Sequence, residues 1–360
     1  MYLQKLNVHA FRNLEKLTFQ AHTRFNLIYG QNGSGKTSLL EAIYFLSLGR
    51  SFRSTQLATI IQHQSKGFEL YAEFFDQSDH RIASARSKAG KNAMKLDGEL
   101  QSTQSPLTQA FPVQLFNPES FHLINSGAKQ RCKLLDWGAF YHDKSFLKRW
   151  QQVKRLIRQR NAALKQRYPK TYIEILDQEL AVHAEKLHQQ RQRYVAMLVP
   201  KVDEVLAELS GTLNITIDYY RGWPEHRDLT SLLSTHFDSD LKNGFTHYGP
   251  HRADLRIKAG GHPAHDILSR GQQKLLVAAI KLAQGVLFSQ VRDTGCIYLI
   301  DDLHSELDQN HLKHLFEQFV ATGGQVIATA IDQSHLSPRF TGLDHHTFEI
   351  HSGSLRVCHG

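Results

Sequence analysis

The chain has 360 residues, of which 41% are hydrophobic and 21% charged, a balance that allows a well-buried core. Lys and Arg number 43 against 34 Asp and Glu, and the net charge of +9 makes nucleic acid a candidate partner. Three widely spaced cysteines argue against a disulfide framework or a Cys-pair zinc site, and they favour a cytoplasmic location. We expect no signal peptide, and no apolar run approaches the ~20 residues that a membrane span needs.

Apolar patterns predict strands over most of the first 120 or so residues. FNLIYG is a short apolar strand that runs into a glycine, FELYAEFF alternates, and AMKLDGEL carries a turn signal at Asp97–Gly98. Between the first two lies one predicted helix, KTSLLEAIYFLSL, with Gly49 at its C-terminal cap. The apolar residues on one face of this helix are Leu39, Leu40, Ile43 and Leu46.

From about residue 125 to 210 the pattern is helical. The stretch Lys144–Lys170 has an apolar stripe at helical spacing, and it contains ten Lys or Arg but no Asp or Glu. Pro169 ends the helical pattern. Strands return in LNITIDYY, CIYLIDD and QVIATA, and a long helix follows LSRGQQK. We therefore predict an α/β nucleotide-binding lobe of residues 1–122 and 245–360, interrupted by a mainly helical lobe of residues 123–244.

The segment GQNGSGKT matches the G-x-x-x-x-G-K-[S/T] phosphate loop and lies between an apolar strand and a helix, as that loop requires. Its glycines let backbone N–H groups face phosphate oxygens, and the helix N-terminus adds partial positive charge. Lys36 is predicted to reach the β- and γ-phosphates of ATP, and Thr37 to ligate Mg²⁺. The alternative is a glycine-rich turn that matches by chance. The predicted nucleotide-binding residues are Gly30, Gln31, Asn32, Gly33, Ser34, Gly35, Lys36, Thr37 and Ser38.

Two carboxylates end the buried strand CIYLIDD. Asp301 is predicted to position the Mg²⁺ ion, and Asp302 to act as the base or to orient the water that attacks the γ-phosphate. The alternative for both aspartates is a structural role such as a helix N-cap, and it has more weight for Asp302 than for Asp301.

The segment LSRGQQK offers a hydroxyl from Ser269 and backbone donors near Gly271 at the start of a helix. It has no lysine of the phosphate-loop kind, so it looks like half of an anion site. A second chain packed head to tail would supply the other half, and ATP would then join the two subunits. The alternative is an ordinary serine N-cap without a ligand.

In this order, GQNGSGKT, LSRGQQK and LIDDLHSELD resemble the ATP-binding cassette ATPases of the chromosome-maintenance type. The segments LNVHAFRNL, GRSFR, FNPESFHLI and YGPHRADL are similar to those of RecF, a family of bacterial recombination mediators. The resemblance implies a cassette ATPase head, which is a P-loop NTPase, with an inserted helical lobe and no long coiled coil.

The same resemblance implies roles for further residues. The signature segment that caps ATP across a dimer would be Ser269, Arg270, Gly271 and Gln272. Asp302 stands where cassette proteins usually have Glu, and Ala330, beside Thr329, stands where many have a switch histidine, so slow hydrolysis is expected. SELD (305–308) matches the loop that couples the two sites, and Gln114 is the candidate for a Mg²⁺-sensing glutamine.

The implied function is a DNA clamp of recombinational repair. ATP would drive homodimerisation on duplex DNA at single-strand gaps, hydrolysis would release it, and RecR with RecO would help load RecA. The basic run Lys144–Lys170 could follow the DNA backbone or be a solvated helix face, and Arg12 and Arg252 could contact phosphate or be surface residues. The alternatives are a nucleotide-binding subunit of a membrane transporter and a non-enzymatic adaptor.

Overall fold

The computed structural model describes residues 1–210, 213–302, 309–332 and 344–358. The strands are β1 (Tyr2–Phe11), β2 (Leu14–Gln20), β3 (Phe25–Tyr29), β4 (Gly67–Asp76), β5 (Ser78–Ser87), β6 (Asn92–Leu96), β7 (Glu99–Leu100), β8 (Val113–Phe116), β9 (Ile215–Tyr220), β10 (Asp254–Ala259), β11 (His262–Pro263), β12 (Ile297–Ile300), β13 (Gln325–Ala330), β14 (His345–His351) and β15 (Ser354–Cys358). The α-helices are α1 (Lys36–Leu48), α2 (Ser105–Ala110), α3 (Ala128–His142), α4 (Phe146–Lys165), α5 (Lys170–Ser210), α6 (Leu229–Thr235), α7 (Phe237–Asn243), α8 (Ala264–Ile267), α9 (Arg270–Arg292) and α10 (Gln309–Ala321).

The chain divides into two compact units. The first draws on Met1–Phe121, Glu208–Ser210 and Lys274–Gly360, and the second on His122–Ala207 and Gly211–Gln273. The first change of unit falls one residue from the boundary expected at 122/123. The last falls inside α9, so residues 245–273 belong to the unit that contains the helices α3–α7. The functional meaning of the two lobes stays a prediction.

The first unit holds two six-stranded sheets. One is antiparallel, with the order β2-β1-β4-β5-β6-β7, and the other has the order β15-β14-β3-β13-β12-β8. In the second sheet β14, β3, β13, β12 and β8 are mutually parallel neighbours, so their carboxyl ends meet at one edge. Every residue of β12 and β13 is buried, because a parallel sheet is covered on both faces.

Helix α1 carries the phosphate loop into the core of the first unit. Leu39, Leu40, Ile43 and Leu46 are all fully buried, as their spacing predicts. Each such side chain stabilises the fold by about 1.5–3 kcal/mol. The helix ends at Gly49 in the left-handed conformation (φ 64°), whose N–H donates to the carbonyl of Phe45. The predicted start and end of this helix are confirmed.

Helix α9 corrects the expectation about membrane spans. This helix of 23 residues is long enough and apolar enough to cross a bilayer, judged by length and composition alone. It is the one such helix in the described ranges. In the fold, however, 67% of its most apolar window is buried. A core helix has this same composition, because its apolar side chains pack on all sides.

In the second unit, β9, β10 and β11 form a small antiparallel sheet with the order β11-β10-β9. Helix α4 buries the apolar stripe that the sequence predicted. Of the ten basic residues in Lys144–Lys170, eight are exposed. Arg160 is an exception to that pattern. It is fully buried and pairs with Asp177 on α5 and Asp240 on α7, each at 2.5 Å. A charge can be buried in this way only when its donors are satisfied.

Candidate nucleotide-binding site

The phosphate loop joins β3 to α1 at the edge where the parallel strands end. Gly33 (φ 79°) and Gly35 (φ 119°) adopt left-handed backbone angles that other residues rarely tolerate. A Cβ atom on Gly35 would lie 2.8 Å from the Leu14 side chain. The loop therefore needs glycine at both positions for its turn, and at Gly35 also for close packing.

Lys36 lies folded over this loop. Its Nζ donates to the carbonyls of Gly30 at 2.5 Å and Gln31 at 3.0 Å. Burial lowers the pKa of the Lys36 ammonium, while the Asp302 and Asp301 carboxylates act in the opposite direction. The ammonium is thus held beside the loop where a β- or γ-phosphate would lie.

Thr37 and Asp301 meet although they are 264 positions apart. The Thr37 hydroxyl donates to Asp301 Oδ1 at 3.1 Å, and the Thr329 hydroxyl donates to the same oxygen at 2.9 Å. Burial raises the pKa of Asp301, and the hydrogen bonds from Thr329 and Thr37 oppose that effect. A hydroxyl and a carboxylate in contact at a phosphate loop are the ligand pair expected for Mg²⁺.

Asp302 has the left-handed backbone conformation (φ 56°), which few residues other than Gly, Asn and Asp adopt. Its N–H donates to the Thr329 hydroxyl at 3.2 Å. Thr329 therefore contacts both acidic residues at the end of β12. Sequence reasoning noted Thr329 only as a neighbour of the missing switch histidine, and no motif pointed to this bridging role.

In the segment Phe11–Asn13 (FRN), both the asparagine and the arginine make hydrogen bonds to residues of the phosphate loop or of α1. Asn13 Nδ2 donates to the Gly33 carbonyl at 2.9 Å, and Ser38 Oγ donates to Asn13 Oδ1 at 2.7 Å. Arg12 makes a bidentate pair with the buried carboxylate of Glu41, at 3.0 and 2.7 Å. Sequence reasoning missed Asn13, because only the fold brings β1 and β2 against the phosphate loop.

The phosphate loop, the two aspartates and the Arg12–Asn13 segment line a pocket of about 630 Å³. Its walls come entirely from the first unit and include the phosphate loop, Asp301 and Asp302, with Arg53, His63 and Lys88 adding cationic or ionisable side chains. The Ser34 hydroxyl is buried and has no hydrogen-bond partner among the described residues. This donor set fits an anionic triphosphate with Mg²⁺ held by Thr37 and Asp301.

The segment Ser269–Gln272 comprises the residue before α9 and the first three residues of that helix, and it belongs to the second unit. Ser269 N–H donates to Gln272 Oε1 at 2.9 Å, and Gln272 N–H donates to Ser269 Oγ at 3.3 Å. This is a capping box, which uses a lone pair of the hydroxyl and leaves its proton available to an acceptor. Ser269, Arg270 and Gly271 are exposed. The predicted N-cap and the predicted anion donor are thus compatible.

Three further residues or segments that the sequence singled out do not line this pocket or are not described. Gln114 lies inside β8, level with Tyr298 and two residues before the strand ends, and its Nε2 is buried without a partner among the described residues. Arg252 lies in the second unit, where its guanidinium is 5.5 Å from the centre of the Phe245 ring. The segment 305–308 lies outside the described residues.

Fold and site together define an ATPase head of the ATP-binding cassette type found in chromosome-maintenance proteins. Residues 2–344 match the family described as RecF/RecN/SMC N terminal domain. A solved SMC head domain from Pyrococcus furiosus, bound to the C-terminal domain of ScpA, has the same fold, with a TM-score of 0.58 at 17% identity over 99% of this chain and 96% of that one.

Closer relatives place the chain within this class. Two proteins called DNA replication and repair protein RecF, from Francisella tularensis subsp. mediasiatica and subsp. novicida, are 46% and 45% identical over 97% of this chain and 100% of theirs. A solved RecF–ATP structure, of the recombination mediator in the RecFOR pathway, has a TM-score of 0.88 at 26% identity and covers 99% of this chain and 98% of that one. The chain belongs to the RecF family.

Proposed function

We propose that the protein is an ATP-dependent DNA clamp of recombinational repair. ATP would join two chains on duplex DNA at a single-strand gap, and slow hydrolysis would separate them. The protein would act in the cytoplasm with RecR and RecO, which together help load RecA at gaps and stalled forks. The solved relative that functions in the RecFOR pathway supports this assignment.

The main support for a site shared by two chains is the environment of Gly271. This glycine lies in the first turn of α9, its φ is not positive, and an added Cβ would meet nothing within 4 Å among the described residues. Glycine is less favourable in a helix than alanine, by about 0.5–1 kcal/mol in a helix interior, and packing among the described residues does not require it here. Close approach of a phosphate to the exposed backbone N–H groups would require it.

The residues of the pocket divide the work of hydrolysis between them. Lys36 and the loop amides hold the β- and γ-phosphates. Asp302 either accepts the proton of the attacking water or orients that water. Ser269 of a second chain donates its hydroxyl to the γ-phosphate, which completes the enclosure. Bound Mg²⁺, held by Thr37 and Asp301, would neutralise charge on the phosphate oxygens.

Helix α4 supplies the DNA contact in this proposal. Its exposed cations include Lys148, Lys154, Arg155, Arg158 and Lys165, and its stretch contains no acidic residue. A row of this kind neutralises phosphates irrespective of sequence, because binding releases the counterions of DNA. The transporter alternative is not favoured, since the full-length relatives are replication and repair proteins.

The test is the size of the protein in solution without nucleotide, with ADP, and with a slowly hydrolysed ATP analogue, each with and without gapped duplex. We expect dimers only with the ATP analogue. Ser269→Arg should keep nucleotide binding to the monomer and lose the dimer and turnover, whereas Lys36→Met should lose nucleotide affinity itself. A Ser269→Arg protein that still forms the ATP-dependent dimer would refute the two-chain site.

A further inference from the structure

Phe245 is a large apolar side chain on the surface of the second unit, and 38% of it is exposed. It follows Gly244, which ends α7 in the left-handed conformation (φ 69°). The ring of His247 lies 4.4 Å from the ring of Phe245, centre to centre, and the Arg252 guanidinium lies 5.5 Å from the Phe245 centre. Two rings and one planar cation are therefore clustered at one exposed point.

The loop that presents this cluster is fixed by buried groups. The Thr246 N–H and hydroxyl both donate to Asn161 Oδ1, at 2.9 and 2.7 Å, and Arg160 donates to the Thr246 hydroxyl at 3.0 Å. The His247 ring contacts the buried carboxylate of Asp240 through Nδ1 at 2.5 Å. The cluster is thus held in place before any ligand arrives, which lowers the entropic cost of binding.

The cluster also adjoins the cationic face of α4 within the same unit. Asn161 and Arg160 are α4 residues, and the aliphatic stem of Lys165 lies so close to Gly244 that an added Cβ would be 3.0 Å from its Cγ. Lys165 and Arg158 are exposed on the same helix. Exposed rings beside a row of cations are the surface on which single-stranded nucleic acids bind, with bases stacked on rings and phosphates paired with cations.

We propose that Phe245, supported by His247 and Arg252, is a stacking site for one unpaired nucleobase of single-stranded DNA. This inference rests on the proposed function, in which α4 follows the phosphates of the adjacent duplex. Bases inside a duplex are already stacked on both faces and cannot occupy the site, whereas the first unpaired base at a gap can. The cluster would then distinguish a gap from continuous duplex without reading sequence.

The experiment compares the full-length protein with its Phe245→Ala variant, in the presence of the slowly hydrolysed ATP analogue. Affinity is measured by fluorescence anisotropy on a blunt duplex and on the same duplex containing a single-stranded gap. Loss of one stacked base should weaken binding to the gap about 10-fold and leave binding to the blunt duplex unchanged. Equal affinity of variant and parent for the gapped DNA would overturn the site, and so would an equal loss on both DNAs.

A second arm changes the DNA instead of the protein. A gap built from abasic nucleotides keeps every phosphate and removes the bases. The parent should bind it about as weakly as Phe245→Ala binds the normal gap, and the variant should lose nothing further on it, because both changes remove the same contact. Independent, additive losses would contradict a Phe245–base contact.

Two protein controls complete the design. Phe245→Leu keeps an apolar side chain without a π face, should fold as the parent does by its thermal transition, and should show the same loss on gapped DNA. Tyr172→Ala removes a ring of similar exposure (46%) on α5 and should change neither affinity. An equal loss with Tyr172→Ala would overturn the specific site. A parent protein that binds no duplex at all would instead refute the proposed function.

Discussion

Thr329 is the residue whose role only the structure reveals. Its hydroxyl donates to Asp301 and accepts the N–H of Asp302, so one oxygen sets the positions of both acidic residues. It lies on β13, which is the parallel neighbour of β12, and it is fully buried. A hydroxyl at this point of the sheet can hold the two residues at the end of the adjacent strand.

We predict that Thr329→Val slows ATP hydrolysis at least about 10-fold and destabilises the protein by about 1–3 kcal/mol, because the buried Asp301 carboxylate loses one of its two hydroxyl donors and the Asp302 N–H loses its acceptor. ATP affinity should change much less, since the phosphate loop is intact. Thr329→Ser keeps the hydroxyl and is the matched control. Steady-state turnover and urea unfolding of the three proteins test this, and unchanged turnover in Thr329→Val would show that Thr329 does not position the acidic pair.

At the scale of elements, α4 combines a buried stripe with an exposed cationic face. We predict that Lys148→Glu, Arg155→Glu and Arg158→Glu together weaken DNA binding and flatten its dependence on salt. Each lost phosphate contact should reduce the slope of log affinity against log salt by about 0.9. The matched control reverses three exposed lysines of the first unit, Lys16, Lys91 and Lys95, with the same change in net charge. An equal effect of the two triple variants would mean that net charge, and not the α4 face, governs binding.

Helix α9 carries one lysine into the core side of the first unit. Lys281 Nζ donates to the Leu115 carbonyl and lies 5.1 Å from the centre of the Phe116 ring. Burial lowers the pKa of Lys281 to about 7 from an ordinary value of 10.5. The unfolded chain therefore binds more protons than the folded protein between these two pH values, and stability rises with pH across that window.

We predict that Lys281→Met raises the free energy of unfolding at pH 6 by about 1–3 kcal/mol, which is only part of the full linkage value because the residue is half-buried. The gain over the parent should shrink as the pH approaches 10, where the parent lysine is neutral in the folded state. Urea unfolding at the two pH values measures it. Lys281→Arg stays charged throughout and should be no more stable than the parent at either pH, and a Met gain that is the same at both would contradict the linkage.

At the scale of the whole molecule, the proposal that two chains share each ATP leads to a mixing experiment. Asp302→Asn should bind ATP without hydrolysing it, and Ser269→Arg should fail to cap ATP in its partner. In a mixed dimer, one site combines the intact Asp302 of one chain with the intact Ser269 of the other. With random pairing half of the dimers in an equal mixture would be mixed, and one of the two sites in each would be whole, so about a quarter of parental turnover is the upper limit of recovery.

Turnover in that mixture should exceed the average of the two separate variants and should rise with protein concentration, because it depends on association. Mixing Asp302→Asn with Lys36→Met is the control, since each of those changes affects the same side of the site and no whole site can form. Recovery in the control, or none in the first mixture, would contradict the shared site.

The sequence by itself determined the phosphate loop, the strand that ends at Asp301 and Asp302, the amphipathic α4 and the capped start of α9. Each of these depends on neighbours along the chain, through strand and helix periodicity and the backbone freedom of glycine. The same local patterns were enough to suggest the RecF family.

Only the tertiary structure decided which distant groups touch. The contacts of Asn13 with the phosphate loop, of Thr329 with two aspartates, and of Arg160 with two buried carboxylates join residues on different elements. It also gathered Phe245, His247 and Arg252 into one cluster. Such contacts depend on sheet order and helix packing, which side-chain periodicity does not encode.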